Sequence, residues 1–255
     1  MSNWYDDLCE YYGVSHEDAV VLGTRRTGRR PNLPGSKTCK PVSGKNFEEL
    51  WDMNPRDTIQ QKMDFYKDIG AWQVFRQCNY RRDTNYRNLF FQYLKPLVPS
   101  IKMVEYGCGI APVTNYIIEH RNELGNLTSS IFVLVDVEGE HLEFAKWRLQ
   151  KKAPDLKFVF HQITEEYMLP YFNGLSFDII SIMDVFEHLP NPYNVLSNLD
   201  DHSHKGTILV ETWRDGKPGG PDLQEAEDEK QMTLDLLKQR YDMIKRGSIR
   251  VHRKQ

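Results

Sequence analysis

From residue 101 onward, short apolar runs alternate with segments long enough to form helices, and this alternation constrains the fold more than any other feature. The runs are nearly continuous in apolar residues, which is typical of parallel strands that helices cover on both faces. The predicted strands are 101–106 (IKMVEY), 131–136 (IFVLVD), 156–160 (LKFVF), 177–184 (FDIISIMD) and 206–213 (GTILVETW). With helices predicted over 112–124 and 138–152, the pattern indicates an α/β fold with a doubly wound sheet.

The C-terminal stretch adds fewer elements. After the fifth predicted strand comes an acidic, glycine-rich loop, then a predicted helix over 232–245 and one short predicted strand over 248–254 (SIRVHRK). The expected sheet is therefore Rossmann-like and mostly parallel, with six or seven strands and helices on both faces.

The first hundred residues divide into three stretches of different composition. Residues 1–22 predict a short helical segment. Residues 23–53 predict a basic arm or flap, because 23–45 contain seven Lys/Arg, no acid and many Gly, Pro, Ser and Thr, so they can bury little apolar surface. Residues 54–99 predict a helical cap whose second helix covers 84–94, with apolar residues at three- and four-residue steps.

Composition excludes several classes of protein. The chain has 255 residues, 40% of them hydrophobic, and a net charge of −3, so no global charge favours nucleic acid or an anionic membrane. No apolar run reaches the length of a membrane span, and the first residues lack the layout of a signal peptide. The four cysteines are widely spaced and favour reduced thiols. A cytoplasmic location without membrane contact is expected.

The turn after the first predicted strand is the first candidate for a ligand site, because ligands of such sheets bind at the carboxyl ends of the strands. Gly107, Cys108 and Gly109 form this turn, and the glycines allow a ligand to lie against bare backbone. A dinucleotide-binding turn would have a third small residue where Pro112 stands. Glu105 comes just before the turn and suits a cationic group better than a phosphate.

This turn resembles the first motif of the class I S-adenosylmethionine-dependent methyltransferases, E/D-x-G-x-G-x-G, with Glu105, Gly107 and Gly109 in place and Ala111 at the last glycine. The resemblance implies S-adenosylmethionine as the cofactor, bound by residues 100–255. This ligand carries a sulfonium, an amino acid end and a ribose but no phosphate. In the family, the acid of this motif commonly supports the amino acid end.

The resemblance also assigns residues at the ends of the next strands. Asp136, followed by Val137, stands where the family has an acid that accepts hydrogen bonds from both ribose hydroxyls. A turn residue after a strand is the alternative, but the position about 30 residues after the first glycine favours the ribose role. Glu138 is a less suitable substitute. After the third strand the family's usual acid is missing, so the resemblance leaves Gln162, or a neighbouring backbone amide such as that of Ile163, to meet the adenine.

Residues 169–189 contain the most specific motifs of the chain. Leu169-Pro170, Phe177-Asp178 and Glu187-His188-Leu189 resemble motifs of the ubiquinone-biosynthesis-like group of small-molecule methyltransferases. Met183, near the end of the fourth strand, completes the predicted cofactor-binding set. The resemblance covers roughly residues 85–213 and implies a small-molecule acceptor.

Methyl transfer from a sulfonium is an in-line displacement, in which the protein mainly aligns the acceptor and excludes water. A hydroxyl or ammonium acceptor must also lose a proton, and His188 is the predicted base, with a structural role as the alternative. Asp184 and Glu211 end neighbouring predicted strands, where they would orient an acceptor or hold Mg²⁺, or Asp184 would cap a helix. Without a clear third ligand, no metal is predicted.

Three alternatives remain at this stage. A non-catalytic protein that binds S-adenosylmethionine as a regulator or partner subunit would share most motif residues. A nicotinamide-dependent oxidoreductase is disfavoured by Pro112 and by the lack of a later Tyr-x-x-x-Lys pattern. A nucleic-acid methyltransferase is disfavoured because its Asp/Asn-Pro-Pro-Tyr motif would directly follow the fourth strand, whereas Asn191-Pro192-Tyr193 lacks a second proline and lies beyond Glu187-His188-Leu189. The sequence fixes neither the oligomeric state nor whether oxygen, nitrogen or carbon accepts the methyl group.

Overall fold

A computed structural model describes residues 4–23, 47–55, 57–81, 92–164, 168–213 and 222–255. Seven strands of these residues form one sheet in the order β3-β2-β1-β4-β5-β7-β6. The strands are β1 (Lys102–Tyr106), β2 (Ile131–Val137), β3 (Lys157–Ile163), β4 (Phe177–Met183), β5 (Ser203–Thr212), β6 (Tyr241–Lys245) and β7 (Arg250–Lys254). Strands β1 to β5 are parallel, and β7 runs antiparallel to both of its neighbours. The predicted doubly wound α/β fold is confirmed, with seven strands.

Helices cover both faces of this sheet. They are α1 (Trp4–Tyr12), α2 (His16–Gly23), α3 (Phe47–Asp52), α4 (Ile59–Arg81), α5 (Pro112–Glu119), α6 (Arg121–Leu124), α7 (Glu140–Lys152), α8 (Pro192–Asp201) and α9 (Gln224–Arg240). Two 3₁₀ turns lie at Lys95–Leu97 and Phe186–His188. Within these described ranges, no helix combines the length and apolar character that crossing a bilayer requires.

Two apolar clusters form the core, one on each face of the sheet. On one face, Ile117 of α5 and Leu149 of α7 pack with Leu134 of β2. On the other face, Leu196 of α8 and Leu237 of α9 pack with the alternate strand residues, whose side chains point to that face. Successive side chains of a strand point to opposite faces, so strands covered on both sides read as continuous apolar runs. This is why the sequence predicted β1 to β5 correctly.

The order of the strands reverses beside β1. The chain passes from β1 to β2 and β3 on one side, then crosses to β4 and β5 on the other. A crevice forms at such a reversal, outside the carboxyl ends of the strands, because the two connections leave the sheet in opposite directions. The side of the sheet formed by the carboxyl ends of β1 and β4, called the carboxyl edge or simply the edge below, is therefore the expected ligand site.

The C-terminal prediction was wrong in one element. The helix α9 begins at Gln224 and ends at Arg240, and residues 241–245 form β6 rather than the last turns of a helix over 232–245. β6 pairs with β7 alone, and its residues Asp242, Met243 and Ile244 are exposed. A five-residue edge strand with little burial leaves no apolar pattern that distinguishes it from the end of a helix.

The N-terminal predictions met mixed outcomes. Residues 1–22 were expected to form one helical segment, but they contain α1 and α2, separated at Gly13, which has a φ of 66°. The cap helix α4 is present and bends at Gly70, where φ is 41° and ψ is −127°. The basic stretch 24–45 and residues 84–91 of the second predicted cap helix lie outside the described residues.

A buried ion pair fastens α1 to the sheet domain. Arg148 of α7 is fully buried, and its Nε donates a hydrogen bond to Asp7 Oδ2 at 2.6 Å. The Asp7 carboxylate also lies 3.2 Å from Lys152 Nζ, and the Arg148 guanidinium covers the ring of Trp4. A buried charge that loses its partner is strongly unfavourable, so this contact fixes where α1 docks.

We expect Asp7→Ala to lower the free energy of unfolding by up to about 3–5 kcal/mol, because it removes the acceptor of Arg148 Nε and leaves the buried guanidinium only Glu119, 3.6 Å from its Nη2, as a described acid. Urea denaturation followed by circular dichroism measures this loss. Asp6→Ala is the matched control, since Asp6 belongs to the same helix and forms an exposed pair with His16. Its loss should stay below about 1 kcal/mol. Equal losses for the two variants would contradict the anchoring role of Asp7.

Candidate active site

The turn between β1 and α5 is built on bare backbone. Gly107 and Gly109 have positive φ angles of 65° and 52°, which glycine adopts without strain. A Cβ on Gly107 would lie 2.3 Å from a methyl group of Val185, and a Cβ on Gly109 would lie 2.4 Å from Gln77 Oε1. Cys108 N–H donates to Val135 O at 3.0 Å, which holds the turn against β2. The two glycines are therefore required by close approach as well as by conformation.

Ala111 occupies the position of the third glycine in the first motif. It adopts the left-handed conformation, with φ 54° and ψ 56°, immediately before α5 begins at Pro112. Its N–H donates to Cys108 O at 2.7 Å, so the whole turn closes within four residues. The backbone that favours glycine at this position is thus kept, although the residue is alanine.

Glu105 is buried at the end of β1, with 4% of its surface exposed. Its carboxylate accepts hydrogen bonds from Val113 N–H at 3.2 Å, Thr114 N–H at 2.9 Å and the Thr114 hydroxyl at 2.6 Å. Amide groups of a first helical turn have no partner inside the helix, and a negative charge there is favourable. In this structure Glu105 therefore serves the start of α5.

Asp136 lies beside the glycine turn, at the end of β2. Its Oδ2 accepts from Gly109 N–H at 2.5 Å, and its Oδ1 accepts from Val137 N–H at 2.7 Å. His141 Nε2 lies 3.1 Å from the same Oδ1 and, facing a carboxylate, donates to it. The acid that the sequence singled out is therefore in contact with the predicted turn, across 27 residues of chain.

His141 was not predicted from the sequence as a site residue. The residue belongs to α7, its side chain is buried, and a Cβ on Gly139 would lie 2.5 Å from the imidazole ring. Within the described ranges its Nδ1 has no hydrogen-bond partner. The histidine stands one turn after Asp136 in a segment that otherwise predicts an ordinary amphipathic helix, so only its position five residues after the acid could have indicated it.

A small cavity of about 60 Å³ opens on the turn, between α5, β1 and β4. It brings together six of the predicted site residues: Glu105, Gly107, Cys108, Gly109, Met183 and Asp184. Gln77, Ser181, Pro112 and Val113 also line it, and Gln77 and Ser181 were not predicted. Burial raises the pKa of the Cys108 thiol well above its usual value, with Asp136 and Glu105 adding to the rise, so this thiol stays neutral.

The predicted adenine contacts lie farther along the same edge. In the register of β2 and β3, Gln162 pairs with Asp136 and Ile163 pairs with Val137. Gln162 is exposed, whereas Ile163 is buried with Met168 in the core. These residues adjoin Asp136 but do not line the cavity at the glycine turn.

Asp184 and Glu211 do not form the pair that their positions suggested. Asp184 has a φ of 56°, and its Oδ1 accepts from the Thr212 hydroxyl at 3.0 Å. Glu211 is buried and accepts from Arg250 Nη2 at 2.8 Å and His252 Nε2 at 3.0 Å, both on β7. Since neighbouring side chains of β5 point to opposite faces, Thr212 meets Asp184 and Glu211 faces away. The part of the chain that is described contains no cluster of three metal-ligating side chains.

His188 lies in the 3₁₀ turn after β4. Its Nδ1 is 3.5 Å from Asp222 Oδ1, and both side chains are between a quarter and a third exposed. His188 does not line the cavity at the glycine turn. Asp222 was missed because it follows a glycine- and proline-rich stretch that predicts a loop and carries no motif.

Helix α4 crosses the edge above these residues. Gln77 Oε1 accepts from Ile110 N–H at 3.0 Å, and Lys67 Nζ forms an ion pair with Glu138 at 2.5 Å. Tyr66 belongs to the same helix, and burial and the charge of Asp136 raise the pKa of its hydroxyl well above the usual value. The sequence predicted α4 as a cap but did not indicate which of its polar residues would contact the turn.

We expect Gly107→Ala to destabilise the protein by about 1–3 kcal/mol more than Gly13→Ala. The two glycines have nearly the same φ, 65° and 66°, so they share the conformational strain, but only Gly107 has a neighbour within 4 Å. Thermal or urea unfolding measures the difference. A Val185→Ala background should recover part of the loss at Gly107 and none at Gly13. Equal losses at the two glycines would show that close packing is not what requires Gly107.

Known proteins resemble the part of the chain that contains the glycine turn. Residues 104–209 match a family model described as a methyltransferase domain, which covers the chain from β1 into β5. No curated protein matches the chain.

Solved structures resemble the chain in fold. A protein from Klebsiella pneumoniae assigned as an O-methyltransferase aligns with a TM-score of 0.51 at 16% identity, covering 67% of this chain and 80% of that one. The N-methyltransferase NodS from Bradyrhizobium japonicum, solved with S-adenosyl-L-homocysteine, aligns at 0.46 and 13% identity, covering 69% and 91%. The O-methyltransferase TomG from Streptomyces achromogenes, solved with its cofactor, aligns at 0.46 and 13%, covering 64% and 78%.

The family match, the strand order and the fold shared with the Klebsiella structure agree with the glycine turn described above. Residues 104–209 are therefore similar to a methyltransferase domain, and the described residues have a Rossmann-like fold that the Klebsiella structure shares.

Proposed function

We propose that this protein transfers a methyl group from S-adenosylmethionine to an oxygen, nitrogen or carbon atom of a small molecule. The observation that carries the proposal is the contact between Asp136 and the glycine turn, where the carboxylate lies 2.5 Å from Gly109 N. A carboxylate that can accept from two vicinal hydroxyls thus stands directly beside bare backbone. This combination suits a nucleoside that carries no phosphate.

The residues along the edge fit such a donor. Asp136 already accepts from Gly109 N–H, Val137 N–H and His141, and its remaining capacity would serve the ribose hydroxyls. The backbone of Gly107 and Gly109 would lie against the amino acid end. Gln162 and Ile163 would border the adenine, next to Asp136 in the register of the sheet. When bound, S-adenosylmethionine supplies a methyl group that its sulfonium already activates.

Helix α4 supports a small acceptor rather than a nucleic acid. Its contacts with Ile110 and Glu138 lie at two points of the edge, so the helix covers the region where an acceptor must approach. Ile59 and Met63 of the same helix pack against the apolar cluster that contains Trp213 and Phe186. A covered, partly apolar approach excludes water and fits a compact acceptor.

His188 is the proposed base for an acceptor that must lose a proton. Asp222 lies 3.5 Å from its Nδ1, and a carboxylate at that nitrogen favours the tautomer or ion in which Nδ1 carries hydrogen. Nε2 would then be the nitrogen that meets the acceptor. Asp184, held by Thr212 at the cavity, would orient the acceptor rather than bind a metal.

We expect the purified protein to bind S-adenosylmethionine and S-adenosylhomocysteine, with no binding of NAD, in isothermal titration calorimetry. Asp136→Ala should weaken both by about 1–3 kcal/mol, because the ribose hydroxyls lose their acceptor. Asp155→Ala is the control, since Asp155 is an exposed acid whose partner, Arg121, is remote from the glycine turn. An unchanged dissociation constant for Asp136→Ala would rule out the ribose assignment.

We expect His188→Asn to reduce methyl transfer by about 10²–10⁴-fold at unchanged donor affinity, since a base contributes only to the chemical step. Turnover is measured with a screen of hydroxyl and amine acceptors, by the release of S-adenosylhomocysteine. The control is His204→Asn, because His204 is also paired with an acid, Asp178. This pair is exposed and lies where β4 and β5 begin, at the opposite ends of the strands from the site. Donor binding without turnover on any acceptor would favour a non-catalytic regulator.

A further inference from the structure

We infer that Ser181 is a binding residue for the amino acid end of the donor, an inference that rests on the proposed function. No motif indicated this residue. Ser181 belongs to β4 and stands opposite Glu105 of β1 in the parallel register. It lines the cavity at the glycine turn together with Gly107, Met183 and Asp184.

The hydroxyl of Ser181 is buried without a partner. The residue is 1% exposed, and among the described residues its Oγ has no hydrogen bond. A buried hydroxyl left unsatisfied costs about 1–3 kcal/mol, so such groups are rare and call for an explanation. Other buried hydroxyls of this domain are satisfied: Ser130 binds Pro99 O, and Thr207 binds Phe177 O at 2.7 Å.

Glu105, which stands opposite Ser181, has little hydrogen-bonding capacity left for the amino acid end of the donor. Glu105 already accepts from Val113, from Thr114 N–H and from the Thr114 hydroxyl, so most of its accepting capacity serves α5. An amino acid end brings an ammonium with several donors and a carboxylate with several acceptors. A serine hydroxyl can donate to one and accept from the other, and Ser181 is the cavity-lining hydroxyl with its capacity unused.

The test compares two nucleosides. S-adenosylhomocysteine has the amino acid end, whereas 5′-methylthioadenosine keeps the adenosine and the thioether but lacks that end. For Ser181→Ala we expect about a tenfold loss of affinity for S-adenosylhomocysteine and a change of less than about twofold for 5′-methylthioadenosine, both measured by calorimetry. The free protein should keep its stability, because the substitution removes an unsatisfied hydroxyl.

Ser130→Ala is the matched control. Ser130 is equally buried, but its hydroxyl accepts from Ile101 N–H at 3.0 Å, at the far end of β1. This variant should lose stability in urea and keep its affinity for both nucleosides. The opposite signatures of the two serines separate a ligand contact from a structural hydrogen bond.

Three results would overturn the inference, and one of them also removes the proposed function. Unchanged affinity of Ser181→Ala for S-adenosylhomocysteine would exclude the contact. Equal losses for both nucleosides would show that Ser181 shapes the site as a whole. If the wild-type protein bound neither nucleoside, the donor assignment would fail together with this inference, whereas binding of both by the wild type leaves Ser181 alone at issue.

Discussion

The buried carboxylate of Glu105 is the interaction on which the arrangement of this edge depends. A charged oxygen pair with so little access to water must be satisfied by the protein, and three donors of the first turn of α5 do so. The helix therefore has to begin directly over the end of β1. This leaves only residues 107–111 for the connection, which explains why that stretch needs left-handed backbone at Gly107, Gly109 and Ala111.

The same turn sets the geometry of the proposed donor site. Because the chain turns back so tightly, Gly109 N–H points at the end of β2 and meets Asp136. His141 and Val137 hold the other oxygen of that carboxylate, so its orientation is fixed from two sides. An oriented acceptor costs little further ordering when a ligand binds, which is the advantage of a preformed site. The polar groups of this edge are thus organised by the fold before any ligand is present.

Helix α4 makes the edge a covered site. It contacts Glu138 through Lys67 before its bend at Gly70, and it contacts Ile110 through Gln77 after the bend. The bend allows one helix to meet the edge at both places. Since Gln77 lies against Gly109, a ligand that occupies the turn must share this space with a flexible side chain. Binding of the proposed donor at the turn would therefore be linked to the position of α4.

Much of this was accessible from sequence, because it depends on local patterns. Parallel strands buried on both faces leave continuous apolar runs, and the strand-turn-helix unit around Gly107 leaves two glycines at fixed spacing. The edge strand β6 left no such pattern, since its exposed residues pair with β7 alone, and the sequence predicted a helix there. The sequence by itself determined the fold class, the position of the glycine turn and the acid at the end of β2.

Only the tertiary structure decided the partners of these groups. Strand order places residues far apart in the chain side by side, and the pleat decides which face each one meets. Glu211 therefore pairs with Arg250 and His252 rather than with Asp184. His188 meets Asp222, and Ser181 is left with its hydroxyl unused at the cavity. A sequence pattern shows how residue types repeat along the chain, whereas a site depends on which residues pack together in space.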